Sequence, residues 1–238
     1  MKNTLPRAIL LDMDDTLLDF TGSTFECWQS VCREYEHRFN GIDAAHLQQA
    51  IENYAKWYWS DADRHREGRL VLLETRRGIV HKALLGLGID DAETAGEMGD
   101  KFSAKRDSHL CLFPDTLSEL QRLLSMEIRL GLVTNGPSEM QRDKIERFGL
   151  ESYFDFIAIE GEVGAGKPDS RIFRHILSGM NTDPNEAWMV GDNLQWDVFG
   201  PQQVGMQGIW YNRSRIELPA DSGVKPDRVI SRLGELPY

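Results

Sequence analysis

Cysteine is scarce: Cys27, Cys32 and Cys111 are the only three, an odd number with no CxxC spacing among them. That pattern excludes a disulfide framework and reads as reduced thiols in a reducing compartment. Long apolar runs are also lacking. The first, Ala8-Ile9-Leu10-Leu11, stops at Asp12, and no later run approaches the ~18–20 residues of a membrane span. The expectation is a soluble, cytoplasmic protein. Positive charge is in short supply, with 27 Lys and Arg against 38 Asp and Glu, a net charge of −11. Such a surface argues against general nucleic-acid binding, although one local basic pocket remains compatible with it. Internal repeats and low-complexity segments are absent. What is present is an ordinary globular balance, 41% hydrophobic and 27% charged, over 238 residues. A chain of that size buries roughly 70–75% of its unfolded surface and needs neither disulfide nor metal to fold.

Short apolar runs alternate with helical patterns. Candidate buried strands are Ala8–Leu11, 128–133, Phe156–Ile159, 187–190, 208–211 and Arg228–Ile230; candidate helices between them cover 115–125, 138–148, 170–178 and 194–204. This alternation predicts an α/β fold with a parallel sheet covered on both faces. Ligands in such sheets gather outside the carboxyl ends of the strands, where the polar turns at Asp12-Met13-Asp14-Asp15, Thr134-Asn135-Gly136 and Gly191-Asp192-Asn193 fall.

From Phe20 to Leu110 the alternation stops. Amphipathic helical patterns cover 25–39, 44–58, 70–87 and Ala92–His109; Leu70, Leu73, Arg77, Val80, Leu84 and Leu87 recur at helical steps. The expected organisation is a core of residues 1–19 and 111–238 with a helical cap domain, 20–110, inserted after the first strand. Its hinges are expected near 19–22 and 111–114.

Four segments carry chemistry. Asp12-Met13-Asp14-Asp15-Thr16 places two carboxylates at a strand end, where both can turn into one site. A solvated acidic turn is the plain alternative; a calcium loop fails, because Leu17 and Ser23 stand where Gly and Glu are needed. Thr134-Asn135-Gly136 can offer a hydroxyl and backbone N–H groups to an anion, helped by a helix starting near Pro137, or can simply be a turn. Gly161–Pro168 nearly spells a P-loop, but Pro168 replaces the metal-binding hydroxyl and the segment lies far from the first strand. Lys167 is better read as a lone cation aimed at the site. Asp192 and Asp197, flanking the start of a helix, suit a hard cation or merely the helix dipole.

Taken in order, Asp12, Asp14, Thr16, Thr134, Lys167, Asp192 and Asp197 resemble the motifs of the haloacid dehalogenase superfamily, over essentially the whole chain. The resemblance implies a Rossmann-like core with a helical cap, and the stretch 132–173 looks most like the phosphatases and nucleotidases. Asp115 departs from the Gly that many relatives carry at the cap's return. The implied chemistry is Mg2+-dependent hydrolysis of a small phosphomonoester, a nucleoside monophosphate or a sugar phosphate. Asp12 is the nucleophile, forming an aspartyl phosphate, and Asp14 the general acid and base. The metal is held by the Asp12 side chain, the Asp14 carbonyl and Asp192. Thr134, Asn135 and Lys167 bind the phosphoryl group, Asp197 orients Lys167 or a metal-bound water, and Thr16 pins the turn through its hydroxyl. Asp14 argues against a dehalogenase, whose halide leaving group needs no proton. A phosphomutase is the main alternative, followed by a non-catalytic binding protein. The expected partner is a small phosphorylated metabolite, with no nucleic acid or membrane, for a monomer or small homo-oligomer. The cap arginines Arg64, Arg66, Arg69, Arg76 and Arg77 and the aromatics Trp57, Tyr58 and Trp59 read as a solvated helix face and cap packing. Asp19, Phe20 and Thr21 are better placed to touch substrate.

Overall fold

A computed structural model describes residues 5–237; residues 1–4 and 238 of the expected core segments lie outside the described residues. Among the described residues there are eight strands: β1 (Ala8–Leu11), β2 (Leu18–Asp19), β3 (Cys111–Leu112), β4 (Arg129–Thr134), β5 (Phe156–Ile159), β6 (Ala187–Gly191), β7 (Gln207–Tyr211) and β8 (Arg228–Ile230). Six form one sheet in the order β5-β4-β1-β6-β7-β8, with every pairing parallel. Parallel strands need cover on both faces, which is why β1 and β6 are continuous apolar runs buried at every position. The strand order reverses at β1, with β4 on one side and β6 on the other. Leu11 lies opposite Leu132 and Val190, so Asp12, Thr134 and Asp192 leave the sheet at nearly one level. That switch point is where a crevice opens for ligands. Strands β2 and β3 form a separate antiparallel pair, Leu18 opposite Leu112 and Asp19 opposite Cys111. They lie at the two ends of the insertion.

Two compact units result, one ending at Asp19 and resuming at Cys111, the other Phe20–Leu110. The inserted unit contains α1 (Thr24–Tyr35), α2 (Ala44–Trp59), α3 (Ala62–Gly68), α4 (Leu72–Gly86) and α5 (Ala92–His109), and no strand among the described residues. Asp43, Asp61 and Asp91 start α2, α3 and α5 by accepting backbone N–H groups at 2.9 Å. The unit has its own core, including Val31, Leu47, Ile51, Val80, Leu84 and Met98, with Trp28 stacked on Phe102 at 3.9 Å. The helix expected over 70–87 is α4, preceded by a 3-10 turn at Arg69–Val71 that takes its first two residues. Its buried stripe runs through Thr75, Arg76, Ile79, Val80, Ala83 and Leu84, so Val80 and Leu84 of the expected face are buried while Leu73 in the first turn and Leu70 in the 3-10 turn are exposed. Arg64 donates to the carbonyls of Tyr58 and Trp57 and lies 4.0 Å over the Trp57 ring, closing the C-terminus of α2.

In the sheet unit, α6 (Thr116–Ser125), α7 (Ser138–Arg147), the short α8 (Glu160–Val163) and α9 (Ser170–Gly179) follow. Helix α9 buries Ile172, Phe173, Ile176 and Leu177, one apolar stripe packed on Leu10, Val133 and Met189 of the sheet. The helix expected over 194–204 is broken into a π-helical run, Leu194–Phe199, and a short α10 (Gly200–Gln202). Pro201 explains the break, since it has no N–H to return to the carbonyl of Asp197.

Candidate active site

Strand β1 delivers Asp12 directly to the switch point, where its N–H donates to the Val190 carbonyl at 2.9 Å. The chain then turns sharply. Met13 accepts from both Leu17 N and Leu18 N through its carbonyl, its own N–H donates to Asp12 Oδ1 at 2.7 Å, and Asp15 takes a left-handed φ of 60°. Met13 is fully buried, which leaves Asp12 and Asp14 as the polar pair flanking it. Thr16 does not pin this turn through its hydroxyl as expected: that oxygen is buried without a hydrogen-bond partner, and the bonds to the Met13 carbonyl and to Asp12 Oδ1 close the turn.

Lys167 is the centre of the site's charge. It is 1% exposed, and its Nζ lies 2.7 Å from Asp12 Oδ1 and 2.7 Å from Asp197 Oδ1. Burial by itself would lower the ammonium's pKa, but Asp12 and Asp197 more than offset that and hold it above its ordinary value. Asp197 is wholly buried; its other oxygen accepts from Asn193 N at 3.0 Å. Gly191 is what admits it, since a Cβ there would stand 2.3 Å from the Asp197 carboxyl carbon. Asn135 clamps the Lys167 backbone in both directions, donating to its carbonyl at 2.9 Å and accepting from its N–H at 2.7 Å.

Three carboxylates converge here. One oxygen from each of Asp12, Asp192 and Asp197 lies within 4.8 Å of the others. Burial pushes the Asp12 carboxyl up to about 7, with Lys167 pulling it down and Asp197 and Asp14 pushing it further up. Burial also lifts Asp192 to about 9, with Asp12 and Asp197 adding to it. Against these three acids stands the one ammonium of Lys167, so ionising all three leaves two negative charges, the complement of one hard dication held by oxygen. The donor set fits a hard divalent cation.

Asp14 is held differently. Its two oxygens lie 2.9 and 2.8 Å from Lys144 Nζ, and Gln141 Nε2 donates to Oδ2 at 3.2 Å and also to the Thr134 hydroxyl. In the same turn the Gly136 N–H donates to Glu160 Oε2 at 2.8 Å. A buried carboxylate needs such a donor, and Gly166 leaves it room: a Cβ there would be 2.3 Å from Glu160 Cδ. The structure thus brings Asp12, Asp192, Asp197 and Lys167 together, and separately Asp14, Thr134, Gln141 and Lys144. Lys144, Gln141 and Glu160 were not singled out from the sequence. The available signal was the i, i+3 spacing of Gln141 and Lys144 on the helix after Thr134.

The sequence model of the haloacid dehalogenase-like hydrolases matches residues 6–205. The chain belongs to that family. Among curated relatives, a phosphoserine phosphatase of Thermus thermophilus is 30% identical over 247 residues, covering 97% of each chain. The pyrimidine 5'-nucleotidase YjjG of Escherichia coli is 29% identical over 96% of this chain and 95% of its own. The fold matches the magnesium-bound crystal structure of the HAD-hydrolase YfnB of Bacillus subtilis, with a TM-score of 0.74 at 21% identity over 98% of this chain and 97% of that one. This haloacid dehalogenase-like chain is an enzyme of the family's phosphatase type.

Proposed function

We propose that this enzyme is a Mg2+-dependent phosphatase that hydrolyses a small phosphomonoester, a nucleoside monophosphate or sugar phosphate, through an aspartyl phosphate on Asp12. The observation that carries the reading is the pair of carboxylates at the end of β1 in opposite settings. Asp12 is buried against Lys167, and Asp14 reaches solvent with 21% of its side chain exposed and accepts N–H donors. That contrast supports Asp12 as the attacking group and Asp14 as the group that exchanges protons.

Asp12, Asp192 and the Asp14 backbone carbonyl are the groups assigned to hold the metal. Mg2+, when bound, offsets the repulsion between Asp12 and the substrate's phosphate and stabilises charge on the phosphoryl oxygens. An Asp12 oxygen forms a bond to phosphorus while the ester oxygen departs and takes a proton from Asp14. Water then attacks phosphorus, the bond to Asp12 breaks, and Asp14 recovers its proton from that water. Thr134 accepts from Gln141, so its own hydroxyl hydrogen remains to donate to a phosphoryl oxygen. Lys167 balances the transferred charge, oriented by Asp197 and by the Asn135 clamp. An acid at position 14 favours an oxygen leaving group over a halide, and relatives acting on phosphoserine and on pyrimidine nucleotides support a small phosphomonoester. The helical insertion Phe20–Leu110, entered just after the first motif, is assigned the role of a cap that limits substrate size.

Phosphate release from a panel of phosphorylated metabolites, with Mg2+ and with chelator, tests this reading. Turnover of one or more small phosphomonoesters, abolished in Asp12→Asn, is expected. Isomerised phosphosugar without free phosphate would make it a mutase.

A further inference from the structure

Helix α7 starts just beyond the Thr134-Asn135-Gly136 turn, and two of its polar side chains are buried: Gln141 at 2% and Lys144 at 5% exposure. They stand three residues apart, so they share one face of the helix. Burying a lysine is costly unless its charge is met. Lys144 meets both oxygens of Asp14, at 2.9 and 2.8 Å, far along the chain. Gln141 links the same carboxylate, at 3.2 Å, to the hydroxyl of Thr134. All the donors that these two residues aim at Asp14 are N–H groups, which hold its oxygens as acceptors.

We infer that Lys144 and Gln141 are positioning residues that hold Asp14 as a proton acceptor beside Thr134, and so serve the second half of the reaction. The inference rests on the phosphatase reading above. In that half, a water oxygen bonds to phosphorus, the bond from phosphorus to Asp12 breaks with its electron pair returning to the Asp12 carboxylate, and the water's proton passes to Asp14. The first half draws on the same carboxyl group in its protonated form and does not need the lysine clamp. Helix α7 therefore ties the acceptor to the residue that holds the phosphoryl group, so both keep one spacing during turnover.

The test is pre-steady-state kinetics of the full-length enzyme with Mg2+, using p-nitrophenyl phosphate and the best phosphorylated metabolite. For Lys144→Met, steady-state kcat and KM should fall together, by about 10–100-fold, while kcat/KM, which reports the first half, changes by less than about threefold. A burst of p-nitrophenolate close to one per site should precede the slow phase, because the aspartyl phosphate forms and then waits. Steady-state rates on good and poor leaving groups should converge, since both share that intermediate. Lys144→Arg should recover part of the loss, as a guanidinium can also meet both oxygens. Gln141→Leu, which leaves the Lys144–Asp14 ion pair in place, should show a milder form of the same slow phase, and stands in if Lys144→Met does not fold. A loss shared equally by burst and steady state, or confined to KM, would overturn the inference and leave the phosphatase reading standing. A wild-type enzyme that releases no phosphate from any substrate would overturn that reading, and the inference with it.

Discussion

Removing the Lys167 ammonium is the sharpest perturbation available. Lys167→Met keeps most of the apolar stem but leaves Asp12 and Asp197 without the cation that each meets at 2.7 Å. Asp197, with no exposure, then retains a single backbone donor, Asn193 N. Breaking a buried ion pair from one side costs about 3–5 kcal/mol, since the stranded charge stays desolvated. For a chain of this length each kcal/mol moves the melting temperature by about 2–4 °C, so the sheet unit should melt ~6–20 °C lower. Thermal unfolding should be followed in chelator, so that a metal does not neutralise the stranded acids. Lys167→Met with Asp197→Asn removes one of the two charges and should regain a large part of the loss. Both variants should lack phosphatase activity, because Lys167 is also needed to balance the phosphoryl group. A single variant melting within about 2 °C of wild type, or a double variant no more stable than the single, would refute the charge-balance reasoning.

Asp14→Asn should cripple turnover more severely for sugar and nucleoside esters than for p-nitrophenyl phosphate, whose leaving group needs little protonation; equal losses would remove the general acid. Gly191→Ala should destabilise the protein by about 1–3 kcal/mol in chemical denaturation and lower activity, since its Cβ would stand 2.3 Å from the Asp197 carboxyl; a silent substitution would mean that Asp197 is free to move. The pH dependence has a defined sign. Burial raises Asp12 and Asp192 from 3.8 to about 7 and about 9, so the metal-free fold binds protons more tightly than the unfolded chain. Their contribution is then full below about pH 4 and is lost as pH rises through 7 and 9. In chelator the melting temperature should fall across that window, while the increment added by Mg2+ should grow, since the metal replaces those protons; an increment independent of pH would contradict the competition.

Much of the sheet and the site is legible in the sequence for a physical reason. Buried parallel strands must be apolar runs, and the polar turns at their carboxyl ends mark Asp12, Thr134 and Asp192 before any coordinates exist. Lys167 stands out by its place in a glycine-rich turn. What does not show is contact that only folding creates. Lys144 and Gln141 lie in a helix of ordinary charged composition, and nothing local distinguishes them until α7 lays them against Asp14. Glu160 lies in the stretch 132–173 that looks most like the phosphatases, but its bond from the Gly136 N–H is likewise made only by folding. The buried face of α4 is also set by packing rather than by the spacing of its leucines. Leu70 and Leu73 fit a helical period, but Leu70 lies in the 3-10 turn before α4, and the face that α4 buries is centred on Arg76, Ile79 and Ala83, with Val80 and Leu84 at its edge.

The central claim is a covalent phosphoryl group on Asp12. Wild-type enzyme, rapidly quenched during turnover of its best phosphomonoester with Mg2+ and reduced with borohydride, should yield a peptide in which the acyl phosphate of Asp12 has become homoserine. Asp12→Asn, treated alike, should yield none. Phosphate turnover in the wild type without reducible aspartate at any quench time, or with the label on another residue, would contradict it.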